Sequence, residues 1–136
     1  AVKCGADGIH VGQKDMEAGN VRALVGEEMM IGVSVQTAEQ AAAAQEAGAD
    51  YLGVGAVFNT TTKLDASEVS YETLKEICET VSIPVVAIGG ISKKNMQELS
   101  GSGADGAALV SAIFSAEDIE EECRELRRLA EQTFSK

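Results

Sequence analysis

Four places in this chain combine residue types suited to holding phosphate groups: Gly12-Gln13-Lys14-Asp15, Ser34, Asn59-Thr60-Thr61-Thr62-Lys63, and Gly89-Gly90 together with Val110-Ser111. Asp15 is a hard oxygen donor of the kind Mg²⁺ takes, one or two carboxylates at a time, with water and phosphate oxygens completing its shell. Lys63 follows three threonine hydroxyls, so an ammonium and several O–H donors can meet one anionic ligand. At Gly89-Gly90 and Val110-Ser111 an anion can approach main-chain N–H groups closely, and a following helix N-terminus adds a favourable dipole. A metal carboxylate, a lysine and neutral donors suit phosphate or pyrophosphate chemistry, which needs positioning and charge neutralisation more than covalent attack. Plainer roles stay open for each group: a helix cap for Asp15, a solvated surface lysine for Lys63, a tight turn for the glycines. Ser34 has no general base beside it in sequence and His10 falls inside an apolar run, so a nucleophilic Ser–His pair gains little support and His10 reads as a core or interface residue.

The elements that must position these groups are announced by a recurring phrase. Gly5-Ala6-Asp7-Gly8, Gly48-Ala49-Asp50 and Gly103-Ala104-Asp105-Gly106 each precede a short apolar run. A helix ending at glycine and passing through a polar link into an apolar run is an αβ connection, because glycine takes the left-handed cap without a Cβ penalty. With the runs around Ile31 and Val85 this predicts five strands near 9–12, 30–35, 51–55, 84–88 and 107–111, Pro84 opening its strand where a missing ladder donor costs least. The runs are continuously apolar, which predicts a parallel sheet covered on both faces. Helix starts are expected at Thr37 with Gln40, at Ser70 and at Ser92. Met29, Leu74, Ile77, Met96 and Leu99, and the spacing of Ile119, Cys123, Leu126 and Ala130, supply candidate core faces.

Alternating strands and helices fit either a doubly wound sheet or a (β/α) barrel. The candidate phosphate segments after the last two strands favour the barrel, where such sites recur after strands 7 and 8. The fold class expected is α/β of the (β/α)8 TIM-barrel type, represented by its last five βα units, with residues 1–136 the C-terminal part of a single barrel domain. A whole barrel takes eight units in about 200 residues or more. The first strand would then leave an apolar edge that another chain could cover, making a homo-oligomer through the open barrel edge one expected partnership.

Composition excludes several other classes. The 136 residues are 45% hydrophobic and 24% charged, with 22 acidic against 11 basic side chains and a formal charge of -11. That balance disfavours a general grip on nucleic acid or anionic membranes, and no apolar run approaches the roughly 20 residues of a membrane span. Cys4, Cys78 and Cys123 are odd in number and far apart, which fits a reducing cytoplasm better than a disulfide framework and lacks the close pairing of a zinc site.

The motifs Gly5-Ala6-Asp7-Gly8-Ile9-His10-Val11-Gly12-Gln13-Lys14-Asp15-Met16, Ile31-Gly32-Val33-Ser34, Gly48 to Gly55, Thr60-Thr61-Thr62-Lys63, Ala87-Ile88-Gly89-Gly90-Ile91 and Val110 to Phe114 resemble, in order and spacing, those of thiamine-phosphate synthases. The resemblance implies a barrel enzyme that joins a hydroxymethylpyrimidine diphosphate to a thiazole phosphate. The diphosphate departs first and the thiazole nitrogen captures the pyrimidine cation. By that resemblance Asp15 and Lys63 are catalytic, with Asp15 one of two Mg²⁺ carboxylates. Ser34 and Lys63 would contact the pyrimidine diphosphate. Thr60, Thr61, Thr62, Gly90, Val110 and Ser111 would hold the thiazole phosphate. The family's Gln-x-Arg-x-Lys segment and Asn-Asp pair do not occur here, which is the reason to expect an incomplete barrel, and Ala56 and Asn59 stand where the family commonly has proline. Two alternatives remain: a thiazole tautomerase relative, which would carry a histidine where Ala56 stands, and a non-catalytic phosphate-binding or assembly module.

Overall fold

A computed structural model describes residues 1–58 and 68–135. Five strands, β1 (Gly8–Val11), β2 (Met30–Val35), β3 (Tyr51–Val54), β4 (Val85–Ile88) and β5 (Gly106–Ala108), form one sheet in the order β1-β2-β3-β4-β5 with every neighbouring pair parallel. A doubly wound sheet reverses its strand order at a switch point. This order never reverses, so the sheet is an arc of a (β/α) barrel. The connecting helices are α1 (Ala18–Val25), α2 (Ala38–Glu46) and α3 (Tyr71–Thr80), followed after β5 by the short α4 (Ser111–Phe114) and by α5 (Ile119–Thr133). Thr37 and Ser70 cap α2 and α3 as expected, accepting from the amides of Gln40 and Thr73.

No α-helix follows Ser92. Met96–Leu99 form a 3-10 turn instead, and Asn95 organises the approach to it, its amide donating to the Gly90 carbonyl at 2.9 Å while its oxygen accepts from Ser92 N–H at 2.9 Å. Ser100-Gly101-Ser102-Gly103 follows at once, with positive φ at both glycines, leaving no room for further helical turns. Lys93 ties the segment to α5 through Glu122 at 2.8 Å and Glu125 at 3.3 Å.

The register decides which side chains face the helices. Val11, Ile31, Val33, Val35, Leu52, Val54, Val85 and Ala87 lie on one face and are buried in a single cluster with Val21, Ala41, Ala44, Leu74, Ile77, Leu126 and Leu129 from the helices. His10, Gly32, Ser34, Tyr51, Gly53, Val86 and Ile88 lie on the other face. Among the described residues, helices cover only the first face, which corrects the expectation of a sheet covered on both sides. The runs look uniformly apolar because glycine and alanine fill many inner positions and conceal the period of two. Leu74, Ile77, Met96 and Leu99 are buried as expected, whereas Ile119 is exposed and Met29 only half-buried.

The Gly-Ala-Asp phrase proves to be a fastening at the N-terminal end of the sheet. Gly5, Gly48 and Gly103 all have positive φ. Asp50 donates its amide to the Ile31 carbonyl at 2.8 Å and accepts Ile31 N–H on its carboxylate at 2.7 Å. Asp105 repeats the pair with Val85, both bonds at 2.8 Å, and Asp7 offers its carbonyl to Met30 N–H at 3.0 Å. Arg22 completes the end, reaching the carbonyls of Gly26, Met29 and Gly48 and the Asp50 carboxylate at 2.7 Å. The Ile31 N–H, and secondly the Arg22 guanidinium, hold the Asp50 carboxyl below its usual range against a partial desolvation that pushes it up. A carboxyl depressed in the folded state stabilises fully above its unfolded value and loses that contribution as the pH falls through its folded value. Asp50→Ala is therefore predicted to cost about 1 kcal/mol at neutral pH, the low end for an abandoned donor because the carboxylate is partly solvated. Urea melts should show the deficit shrinking as the solution is acidified below the carboxylate range.

Candidate active site

In a parallel sheet all strand C-termini share one end, and there the structure gathers Gly12–Asp15 after β1, Ser34 next to the last residue of β2, Gly55–Phe58 after β3, Gly89-Gly90 after β4 and Val110-Ser111 just beyond β5. Thr60, Thr61, Thr62 and Lys63 lie outside the described residues. Their described flanks meet the same end: Phe58 N–H donates to the Gly89 carbonyl at 3.1 Å, and Val69 N–H to the Ala56 carbonyl at 2.6 Å.

Asp15 does not cap a helix. The α1 cap position is Glu17, without a side-chain bond, and Asp15 turns back over its own loop to accept Gly12 N–H at 2.7 Å while its amide donates to the Gly12 carbonyl at 3.1 Å. Gln13 pins this turn to the next strand through the Ser34 carbonyl at 2.8 Å. The turn engages one carboxylate oxygen, and the second can serve a cation. Among the described residues no three His, Cys, Asp or Glu side chains gather as a metal cluster. A single exposed carboxylate with a hard donor oxygen fits Mg²⁺, whose remaining positions are filled by water and phosphate oxygens, and does not fit zinc.

The glycine pair meets the demands of a tight turn. Gly89 has φ +100° and Gly90 φ +65°, and a Cβ on Gly89 would lie 2.5 Å from the Ala56 Cβ. The turn itself therefore requires glycine. The same bare backbone sits beside Val110-Ser111, since Ile88 pairs with Ala108. The helix dipole expected behind it is slight, with a 3-10 turn after β4 and a four-residue α4 after β5. Among the described residues, this part of the sheet end offers main-chain N–H groups and the Ser111 hydroxyl as donors.

A constellation that sequence reasoning missed lies on the inner face. His10 Nε2 is 2.8 Å from Ser34 Oγ and His10 Nδ1 is 2.9 Å from Tyr51 Oη, so three neighbouring strands join in one hydrogen-bonded chain. Ser34 does have a histidine beside it, across the sheet rather than along the sequence. The signal was the parallel register, which sets His10 opposite Gly32 and Gly32 opposite Tyr51. Gly32 makes the crossing sterically possible: a Cβ there would lie 2.1 Å from Tyr51 Cζ and 2.4 Å from His10 Nδ1.

Comparison with known proteins adds the family. Residues 1–113 match the thiamine monophosphate synthase family model. The chain belongs to this family. Among curated members it is 52% identical over 126 residues to the thiamine-phosphate synthase of Clostridium tetani (strain Massachusetts / E88), covering 93% of this chain and 60% of that protein. It is 52% identical over 122 residues to that of Clostridioides difficile (strain 630), covering 90% and 58%. Among solved structures it superposes on the thiamine phosphate pyrophosphorylase of Pyrococcus furiosus with a TM-score of 0.86 and 42% identity, over 96% of this chain and 62% of that one. A 3-hexulose-6-phosphate synthase, at 22% identity and a TM-score of 0.70, shares the fold. The chain thus spans about three fifths of the length of the curated family members it matches.

His10 is the single histidine of the sequence, so its titration can be followed without assignment. Burial holds its imidazole below the ordinary histidine value. Proton NMR is predicted to place its midpoint under about 6.5, with the folded protein losing stability as the pH falls through that unfolded value, because the unfolded chain then binds the proton first.

Proposed function

We propose that these residues form the C-terminal part of a thiamine-phosphate synthase, which joins a hydroxymethylpyrimidine diphosphate to a thiazole phosphate and releases pyrophosphate. The observation that carries this reading is the convergence of Asp15, Ser34, Gly90, Val110 and Ser111 at the C-terminal end of a parallel sheet in a chain of this family. Asp15 would hold Mg²⁺, whose chemistry is to neutralise the charge growing on the departing diphosphate. Lys63 would meet the same diphosphate, and Ser34 would donate to the pyrimidine substrate. Thr60, Thr61, Thr62, Gly90, Val110 and Ser111 would hold the thiazole phosphate, the glycine backbone admitting the anion and the threonines adding hydroxyl donors. Loss of the diphosphate gives a pyrimidine cation, and the thiazole nitrogen captures it. A tautomerase reading would need a titratable group where Ala56 stands, buried against Gly89.

The setting we infer is the cytoplasm. Cys4 is at the surface, Cys78 and Cys123 are half-buried on separate helices, and among the described residues no helix is long and apolar enough to cross a membrane. The acidic balance argues against nucleic acid and anionic membranes as partners, and the exposed inner face and strand edge of the sheet are where a second copy would pair in a homo-oligomer.

Asp15→Asn separates the metal role from the turn, because an amide oxygen still accepts Gly12 N–H but carries no charge. In a protein of the relatives' full length that carries these residues, Asp15→Asn and Lys63→Ala are each predicted to lower Mg²⁺-dependent thiamine phosphate formation by about 10²-fold or more. Stability of the Asp15→Asn variant should stay within about 0.5 kcal/mol of the parent. Full turnover in both variants would overturn the assigned roles.

A further inference from the structure

We propose that Tyr51 is a positioning residue that fixes the tautomer of His10, so that Ser34 is held as a hydrogen-bond donor facing the ligand. The proposal rests on the synthase reading only for what Ser34 faces; the chain of bonds itself is read from the geometry. Neutral imidazole has one donor and one acceptor nitrogen, and each is occupied by a hydroxyl here, Tyr51 at Nδ1 and Ser34 at Nε2. A phenol, ionising near about pH 10, is a stronger donor than an aliphatic alcohol. Tyr51 O–H therefore donates to Nδ1, the ring proton resides on Nε2, and Nε2–H donates to Ser34 Oγ. Among the described residues no acceptor takes the Ser34 proton, which is then free to meet whatever occupies the open end of the sheet. The polarity is opposite to that of a Ser–His nucleophile, in which the histidine accepts from the serine.

The surroundings are shaped for this arrangement. Gly32 and Gly53 floor the imidazole, with a Cβ on Gly53 falling 3.1 Å from His10 Cε1 and one on Gly32 displacing both bonded groups. The rings of His10 and Tyr51 lie 5.5 Å apart at 43°, tilted rather than stacked, with the phenol oxygen 2.9 Å from Nδ1. Gln13 holds the Ser34 carbonyl, which limits movement of that strand end.

The test is nitrogen NMR of the lone histidine in alkaline solution, where it is neutral, and needs no substrate, so failure of the synthase reading would leave its outcome untouched. In the parent chain Nδ1 should show the unprotonated and Nε2 the protonated signature. In Tyr51→Phe, of nearly the same shape, the tautomer is no longer fixed, and exchange between the two forms should make the averaged Nδ1 and Nε2 signatures converge. In Ser34→Ala the Nδ1 resonance should stay where it is in the parent. A proton on Nδ1 in the parent would overturn the proposal, and so would a Tyr51→Phe spectrum superimposable on the parent's. If Tyr51→Phe fails to fold, the parent spectrum and Ser34→Ala decide alone, a shifted Nδ1 in the latter also overturning it.

Discussion

Everything in this structure depends on the register of its parallel strands. Alternate residues along each strand point to opposite faces, so the pairing that buries Ile31, Val33, Val35, Leu52, Val54 and Val85 under the helices is the same pairing that sets His10, Ser34 and Tyr51 together on the inner face. A slip of one residue would exchange the two sets. At about 1.5 to 3 kcal/mol for each large apolar side chain taken out of water, the exchange costs far more than the few hydrogen bonds of the inner face could return. The packed face selects the register, and the chemistry of the open face follows from it.

The two ends of the sheet divide the work. At the N-terminal end, Asp50 and Asp105 bond back to Ile31 and Val85, and Arg22 gathers three carbonyls and a carboxylate. These groups are consumed by one another and hold adjacent strands in step. At the C-terminal end lie the Asp15 carboxylate over its own turn, the glycine pair after β4 and Ser111 at the start of α4. Barrels of this type place their chemistry beyond the strand C-termini, and the aspartate fastenings occupy the opposite end.

Much of this was legible in the residues. Five strands and their parallel arrangement follow from apolar runs separated by Gly-Ala-Asp links, and the capping of α2 and α3 from Thr37 and Ser70. The gathering of Gly12–Asp15, Ser34, Gly89-Gly90 and Val110-Ser111 was legible because each lies at or just beyond the C-terminal end of a strand, and a parallel sheet brings those ends together. Three things were not. The two-faced nature of the sheet was hidden because glycine on the inner face is as uncharged as valine on the outer. The helix after Ser92 looked well started, but Asn95 bonds within the turn and the glycines of 100–103 end it. The His10–Ser34 bond joins residues 24 positions apart, and only the pairing of Ile9 with Ile31 makes them neighbours.

The most direct test of the division between the two ends is an amide NMR titration of this chain with pyrophosphate and Mg²⁺. Perturbations confined to the amides of Gly12 to Asp15, Gly89-Gly90 and Val110-Ser111, with those of Asp7, Asp50 and Asp105 unmoved, are what the account predicts. Movement centred on the aspartate end, or spread evenly over the sheet, would contradict it.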